Sequence, residues 1–217
     1  MLADGRFPVG GHAHSAGFEA ATTAFDLSSE PGLVSFLVGR LATTGVTEAH
    51  LVAAIRHRLD AGDLDWQEAD AEIGARIASP ALRATSRTLG RHWLRAARQI
   101  FPGPHVERLR AEVAEPHQVA AFATTTAQAG VAADDAVRLH LHHLVTSVLT
   151  AAVRLHGFDP FRSNVLQVAQ RERCEAIVAD ADATAGEPWR HLPAPSGPLT
   201  EILAEVHATT DGRLFRS

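Results

Sequence analysis

Thirteen of the 217 residues are histidine, and His140, His142 and His143 fall within one apolar-periodic stretch. His140 and His143 are three apart, so a helix would put both rings on one face, a spacing compatible with joint metal ligation. His12 and His14 flank Ala13, a His-x-His pair that on an extended segment holds nickel, copper or zinc weakly. No carboxylate completes a set beside His140 and His143, and the zinc-protease pattern of two His flanking a Glu does not occur. The sequence therefore favours partly buried histidines beside an apolar stripe at 140–143 and solvated or structural ones at 12 and 14. Cys174 lies between Arg173 and Glu175 with no base adjacent and reads as a bystander.

The charge pattern says more. Arg83, Arg87, Arg91, Arg95 and Arg98 recur at near-helical spacing, with no Asp or Glu between Glu72 and Glu107. Upstream, Asp60, Asp63, Asp65, Glu68, Asp70 and Glu72 form an acidic block. Two readings follow: the blocks compensate each other across antiparallel helices, or the Arg stripe meets an acidic partner and fixes its orientation.

All 20 cationic side chains are Arg, which removes Schiff-base chemistry and the phosphate-loop lysine together. The phosphate-loop, dinucleotide and nucleophile-elbow motifs are absent, and no carboxylate pair stands out as an acid–base couple, so the expectation is a non-enzyme. A net charge of −5 argues against nucleic acid. One cysteine excludes a disulfide framework. No apolar run is long enough for a membrane span and no signal-peptide core follows Met1, so a cytoplasmic location is expected.

The elements that must position these residues are helical. Period-two alternation is missing. Ser29, Asp65, Ser79, Asp159 and Gly197 sit where helices start, and Gly45, Gly62, Gly130 and Gly157 where they stop. The spacing predicts nine or ten helices, over about 14–26, 31–44, 47–60, 65–78, 80–101, 105–113, 117–129, 133–156, 160–184 and 198–208. The eighth carries a stripe through Val137, Leu141, Leu144 and Val148 that must be buried, in the core or between subunits. One all-α domain over 1–217 is the economical architecture, with a motif segment at 1–19, an ordered loop at 185–197 and a tail at 211–217.

The two ends carry a resemblance. Leu2-Ala3-Asp4 through Pro8-Val9-Gly10-Gly11, then Ser15, Gly17 and Glu19, and the terminal Arg213-Leu214-Phe215-Arg216-Ser217, resemble the urease accessory protein UreF family. The chain departs from many members in having His12 and His14 after the paired glycines and Phe18 before Glu19. The resemblance implies an all-α, dimerising, non-catalytic protein that assembles with UreD (also called UreH) and the GTPase UreG. That complex docks on apo-urease and couples GTP hydrolysis to nickel delivery, with no cofactor held stably by the UreF-like subunit. It also implies that the quoted end residues contact partners, with Phe215 as anchor. The competing expectation is a helical protein that binds nickel or zinc directly through His12, His14, His140 or His143.

Overall fold

Ser29 Oγ accepts the Gly32 N–H at 3.3 Å, Asp65 accepts from Gln67 and Glu68 at 2.8 and 3.0 Å, and Ser79 accepts from Leu82 at 3.1 Å. Asp159 accepts from Phe161 and Arg162 at 3.0 and 3.4 Å. Each cap satisfies N–H groups that a helix start leaves without a partner, so these starts form where the sequence sets them. The computed structural model describes residues 1–4, 7–9 and 14–210. Among them it has eleven α-helical segments and no strand: α1 (Phe18–Thr22), α2 (Glu30–Arg40), α3 (Val46–Ala61), α4 (Trp66–Ala75), α5 (Pro80–Ile100), α6 (Pro104–Glu112), α7 (Gln118–Gln128), α8 (Ala133–His156), α9 (Pro160–Ala169), α10 (Arg171–Ala183) and α11 (Pro198–Ala208).

Three boundaries differ from expectation. The first helix shrinks to one turn because Gly17 enters it left-handed (φ 83°) and Thr22 and Thr23 bond back to the Glu19 and Ala20 carbonyls. Gly45 does not stop a helix: a π-helical turn, Leu41–Gly45, carries α2 straight into α3. Gly45 is there for closeness, since a Cβ would meet Leu144 at 3.3 Å and Leu41 at 3.4 Å. The expected 160–184 rod bends at Gln170, which ends α9 and precedes α10 with no proline or glycine to signal it. Gly62, Gly130 and Gly157 do adopt the left-handed conformation of helix stops.

α7 sits at the centre, with every residue from Val119 to Thr126 buried. Its Ala and Thr side chains let α3, α5, α6 and α8 come close. The buried hydroxyls of Thr124 and Thr125 donate to carbonyls one turn back, at 2.8 and 2.6 Å. Val137, Leu141, Leu144 and Val148 all face this core within one chain. The 185–197 loop is ordered as expected: Trp189 and Leu192 are buried, and the Arg58 guanidinium lies 4.3 Å from the Trp189 ring centre.

One close approach is testable. A Cβ on Gly90 of α5 would lie 1.9 Å from the Pro116 carbonyl oxygen, a backbone atom that cannot rotate away. Gly90→Ala should cost on the order of 1–3 kcal/mol through overpacking, read as a lowered Tm. An unchanged Tm would mean the 113–117 segment sits off α5.

Candidate partner-binding surfaces

The N-terminal motif is built into the domain. Leu2, Phe7 and Val9 are buried and Pro8 is exposed. The Phe7 ring lies 5.1 Å from Trp93, which meets Phe122 edge-on at 5.1 Å. Ser15, fully buried, accepts the Glu19 N–H on its Oγ at 3.2 Å, but the cap position of α1 is Gly17, two residues later than the sequence suggests. Gly17 lies against Thr200 of α11, and Glu19 approaches His207 of the same helix at 3.4 Å. Phe18, the departure from the family pattern, is fully buried against Phe36 and His156. Gly17 and Glu19 thus join the start of the chain to α11. Gly10, Gly11 and His12, with Arg213, Leu214, Phe215, Arg216 and Ser217, lie outside the described residues.

The α8 histidines diverge. His140 Nε2–H donates to Glu48 Oε2 of α3 at 2.8 Å. His143 Nε2–H donates to the Leu2 carbonyl at 2.9 Å. His142 Nδ1 accepts from Gln167 of α9 at 2.9 Å. Burial pushes the His143 pKa down to about 4, helped by neighbouring His140, and burial also lowers that of His142. His14 is half-buried. Among the described residues, no three His, Cys, Asp or Glu side chains converge on a point where a metal ion could sit. His140, His142 and His143 each tie another segment to α8: α3, α9 and the N-terminal segment. Glu48, which no local spacing reveals, is the carboxylate that the sequence could not supply. Cys174 is half-buried, and its thiol is pushed up by burial, which disfavours the reactive thiolate.

The Arg stripe meets carboxylates from several elements. Arg87 grips Asp70 of α4 through two bonds, at 3.0 and 2.8 Å. Arg91 pairs with Glu115 at 2.9 Å and Arg98 with Glu107 at 3.5 Å. Arg83 donates to the Ile77 and Ala78 carbonyls instead. Arg95 is exposed and forms no ion pair among the described residues. Compensation by the acidic block therefore holds at Asp70. Beneath it, His117 is fully buried and bonds Ser86 at 3.0 Å. Burial, with Arg87 nearby, pushes its pKa down to about 4.

Two apolar rows point outward, and sequence reasoning missed both. On α9, Phe161, Val165 and Val168 are 84%, 51% and 71% exposed. On α11, Leu199, Ile202 and Val206 are 50%, 60% and 56% exposed. Their spacings, i, i+4, i+7 and i, i+3, i+7, make each a single stripe. Such a stripe normally faces a core, so nothing in the spacing alone marks it as outward. α11 is held by Leu203 and Ala204 against the body and by polar contacts. Glu201 accepts the Ser79 N–H at 2.5 Å, and Glu205 accepts the Ala81 N–H at 2.8 Å and the Ser79 hydroxyl. Only Ala204 and His207 of α11 are fully buried.

The fold defines a class first: a single all-helical domain whose histidines and arginines tie helices together and which presents two outward apolar stripes. The chain belongs to the UreF family, whose model matches residues 27–170. It is 36% identical over 216 residues to the urease accessory protein UreF of Mycobacterium marinum, covering 100% of this chain and 96% of that protein. It is 34% identical over 217 residues to that of Mycolicibacterium vanbaalenii and 36% identical over 217 residues to that of Mycobacterium tuberculosis H37Rv, with the same coverage.

Proposed function

We propose that this protein is a cytoplasmic, non-catalytic scaffold of urease maturation. It binds UreD (UreH) and the GTPase UreG, and the assembly docks on apo-urease and delivers nickel at the expense of GTP. Nickel is cargo of the assembly, and this subunit holds no cofactor stably. The observation that carries the reading is the inverted α11. Its acidic residues Glu201 and Glu205 are turned to the protein and Leu199, Ile202 and Val206 to solvent. Exposed apolar patches of this kind mark contact sites. The stripe leads into residues 211–217, where Leu214 and Phe215 are the apolar anchors and Arg213 and Arg216 offer charge-assisted bonds. UreD is assigned to this end of the molecule.

A second copy is assigned to α9, where Arg162 is the sole charged residue and is already paired with Glu30 of α2 at 2.6 and 2.8 Å. An uncharged stripe fits another like it, because a charged partner would leave its own groups unpaired.

Expression of the chain in a urease-positive strain lacking its own UreF should restore urease activity in the presence of nickel; soluble chain with no activity would overturn the reading. Deleting 211–217 should weaken co-purification with UreD by at least about tenfold, since loss of a buried aromatic anchor costs about 2 kcal/mol or more. Circular dichroism should be unchanged. Undiminished co-purification would remove the tail from the interface.

A further inference from the structure

The arginine row of α5 outruns its partners. Up to Arg87 each guanidinium is absorbed by the fold: Arg83 by the Ile77 and Ala78 carbonyls, Arg87 by Asp70. Beyond Arg87 the pairing thins out. Arg91 holds Glu115 with one nitrogen and the Thr88 hydroxyl with another, at 2.9 and 3.0 Å. Arg98 reaches Glu107 only at 3.5 Å. Arg95, exposed between them, forms no hydrogen bond or ion pair among the described residues. Glu107 is shared with Arg110 of α6 at 2.8 Å, so α6 adds a fourth guanidinium to the row.

Four guanidiniums thus face two carboxylates on one half-exposed ridge, in a chain whose net charge is −5. Arg108 and Glu112 beside it pair with each other at 2.7 Å and leave that balance unchanged. Positions 91, 95 and 98 fall on a single face, opposite the Leu89, Trp93 and Ala96 side chains that α5 buries. A guanidinium carries five N–H donors in a fixed fork. Arg95 engages none of them within the chain, and Arg98 makes only its one long contact.

The complement of this row is acidic, and the row's length sets the kind of acid. From Arg91 to Arg98 the helix axis advances about 10 Å, the span of carboxylates at i, i+4 and i+7 on a partner helix. A continuous polyphosphate fits less well. Glu115 and Glu107 stand exposed at the two ends and would repel negative charge that runs past the row. A folded protein can end its acidic face at those points. Pairs this exposed add little affinity, but they steer an approaching surface and set its orientation.

We infer that Arg91, Arg95 and Arg98 form a docking row for an acidic helix of a partner protein. The inference stands apart from the α11 and α9 assignments, and takes from the scaffold reading only the accessory proteins in the second arm of its test. The first probe is a capped helical peptide with glutamates at i, i+4 and i+7 of an otherwise uncharged sequence. It is titrated into the isotope-labelled full chain in about 50 mM salt, where exposed charges are weakly screened. The peptide should shift the amide signals of residues 91–98 saturably, and its glutamine counterpart should not. A tetranucleotide, with the same three negative charges, should bind more weakly. The triple substitution Arg91→Gln/Arg95→Gln/Arg98→Gln should weaken the peptide at least about tenfold with circular dichroism unchanged. Arg171→Gln/Arg173→Gln/Arg190→Gln, an equal change of charge at exposed positions elsewhere, should leave peptide binding intact. In the second arm, at least one of purified UreD, UreG and apo-urease should associate about tenfold more slowly with the wild-type chain in 300 mM salt than in 50 mM. The triple variant should lose most of that salt dependence while its dissociation rate stays nearly unchanged. Equal shifts from the glutamine peptide, tighter binding of the tetranucleotide, peptide binding indifferent to the triple substitution, or equal weakening by the control substitutions would each overturn the row. A salt dependence identical in wild type and triple variant for all three proteins would overturn its docking role. A chain that binds the peptide through the row yet fails to restore urease would support the row while ending the scaffold reading.

Discussion

Leu141→Asp should abolish cooperative folding. Leu141 is fully buried at the middle of α8, on the stripe that also buries Val137 and Val148. A carboxylate there loses its hydration and gains no partner. The penalty reaches several kcal/mol even after the group takes up a proton, comparable with the whole stability of a domain, about 5–15 kcal/mol. Circular dichroism on heating should show no sharp transition and gel filtration an expanded or aggregated chain. Leu141→Ala is the milder companion, expected to cost about 2–5 kcal/mol while leaving the fold intact. A folded monomer from the Asp variant would mean that the stripe is an interface between subunits rather than the core of one.

Acid should weaken the protein well before its carboxylates titrate. His117 and His143 have ordinary values of 6.5, and both are pushed down to about 4 in the fold, chiefly by burial. Each is therefore held neutral when folded and protonates more readily when unfolded. Their contribution is complete above about pH 6.5 and drains away as pH falls toward 4. By pH 5 the loss is about 2 kcal/mol for buried His117 and about half of that for half-buried His143. Urea midpoints at pH 7.5 and pH 5 measure it. His143→Gln, whose amide can still reach the Leu2 carbonyl, should flatten part of the slope; a slope unchanged in that variant and in His117→Gln would assign the acid sensitivity elsewhere.

The helices were legible because their punctuation is local. A serine or aspartate cap needs only the next three residues, so Ser29, Asp65, Ser79 and Asp159 could be read directly. The bend at Gln170 and the continuation through Gly45 could not, because each is settled by what packs against it. The same divide runs through the surfaces. The buried stripe on α8 and the outward stripes on α9 and α11 have the same period, and only the rest of the fold decides which of them meets solvent. His140 and His143 looked like a pair because helix spacing counts rings. Their partners, Glu48 and the Leu2 carbonyl, lie 92 and 141 residues away in sequence. The terminal motifs carried the family resemblance, yet no spacing rule describes the contacts that Gly17 and Glu19 make with α11.

The carboxylates of Glu201 and Glu205 sit on the backbone donors at the start of α5, across a sequence gap of more than 120 residues. Opening of either helix end strips partners from the other, so the two fray as one unit. Hydrogen exchange at the Ser79 and Ala81 amides therefore reports how often the last helix lifts from the body, a gauge placed far from the tail it monitors.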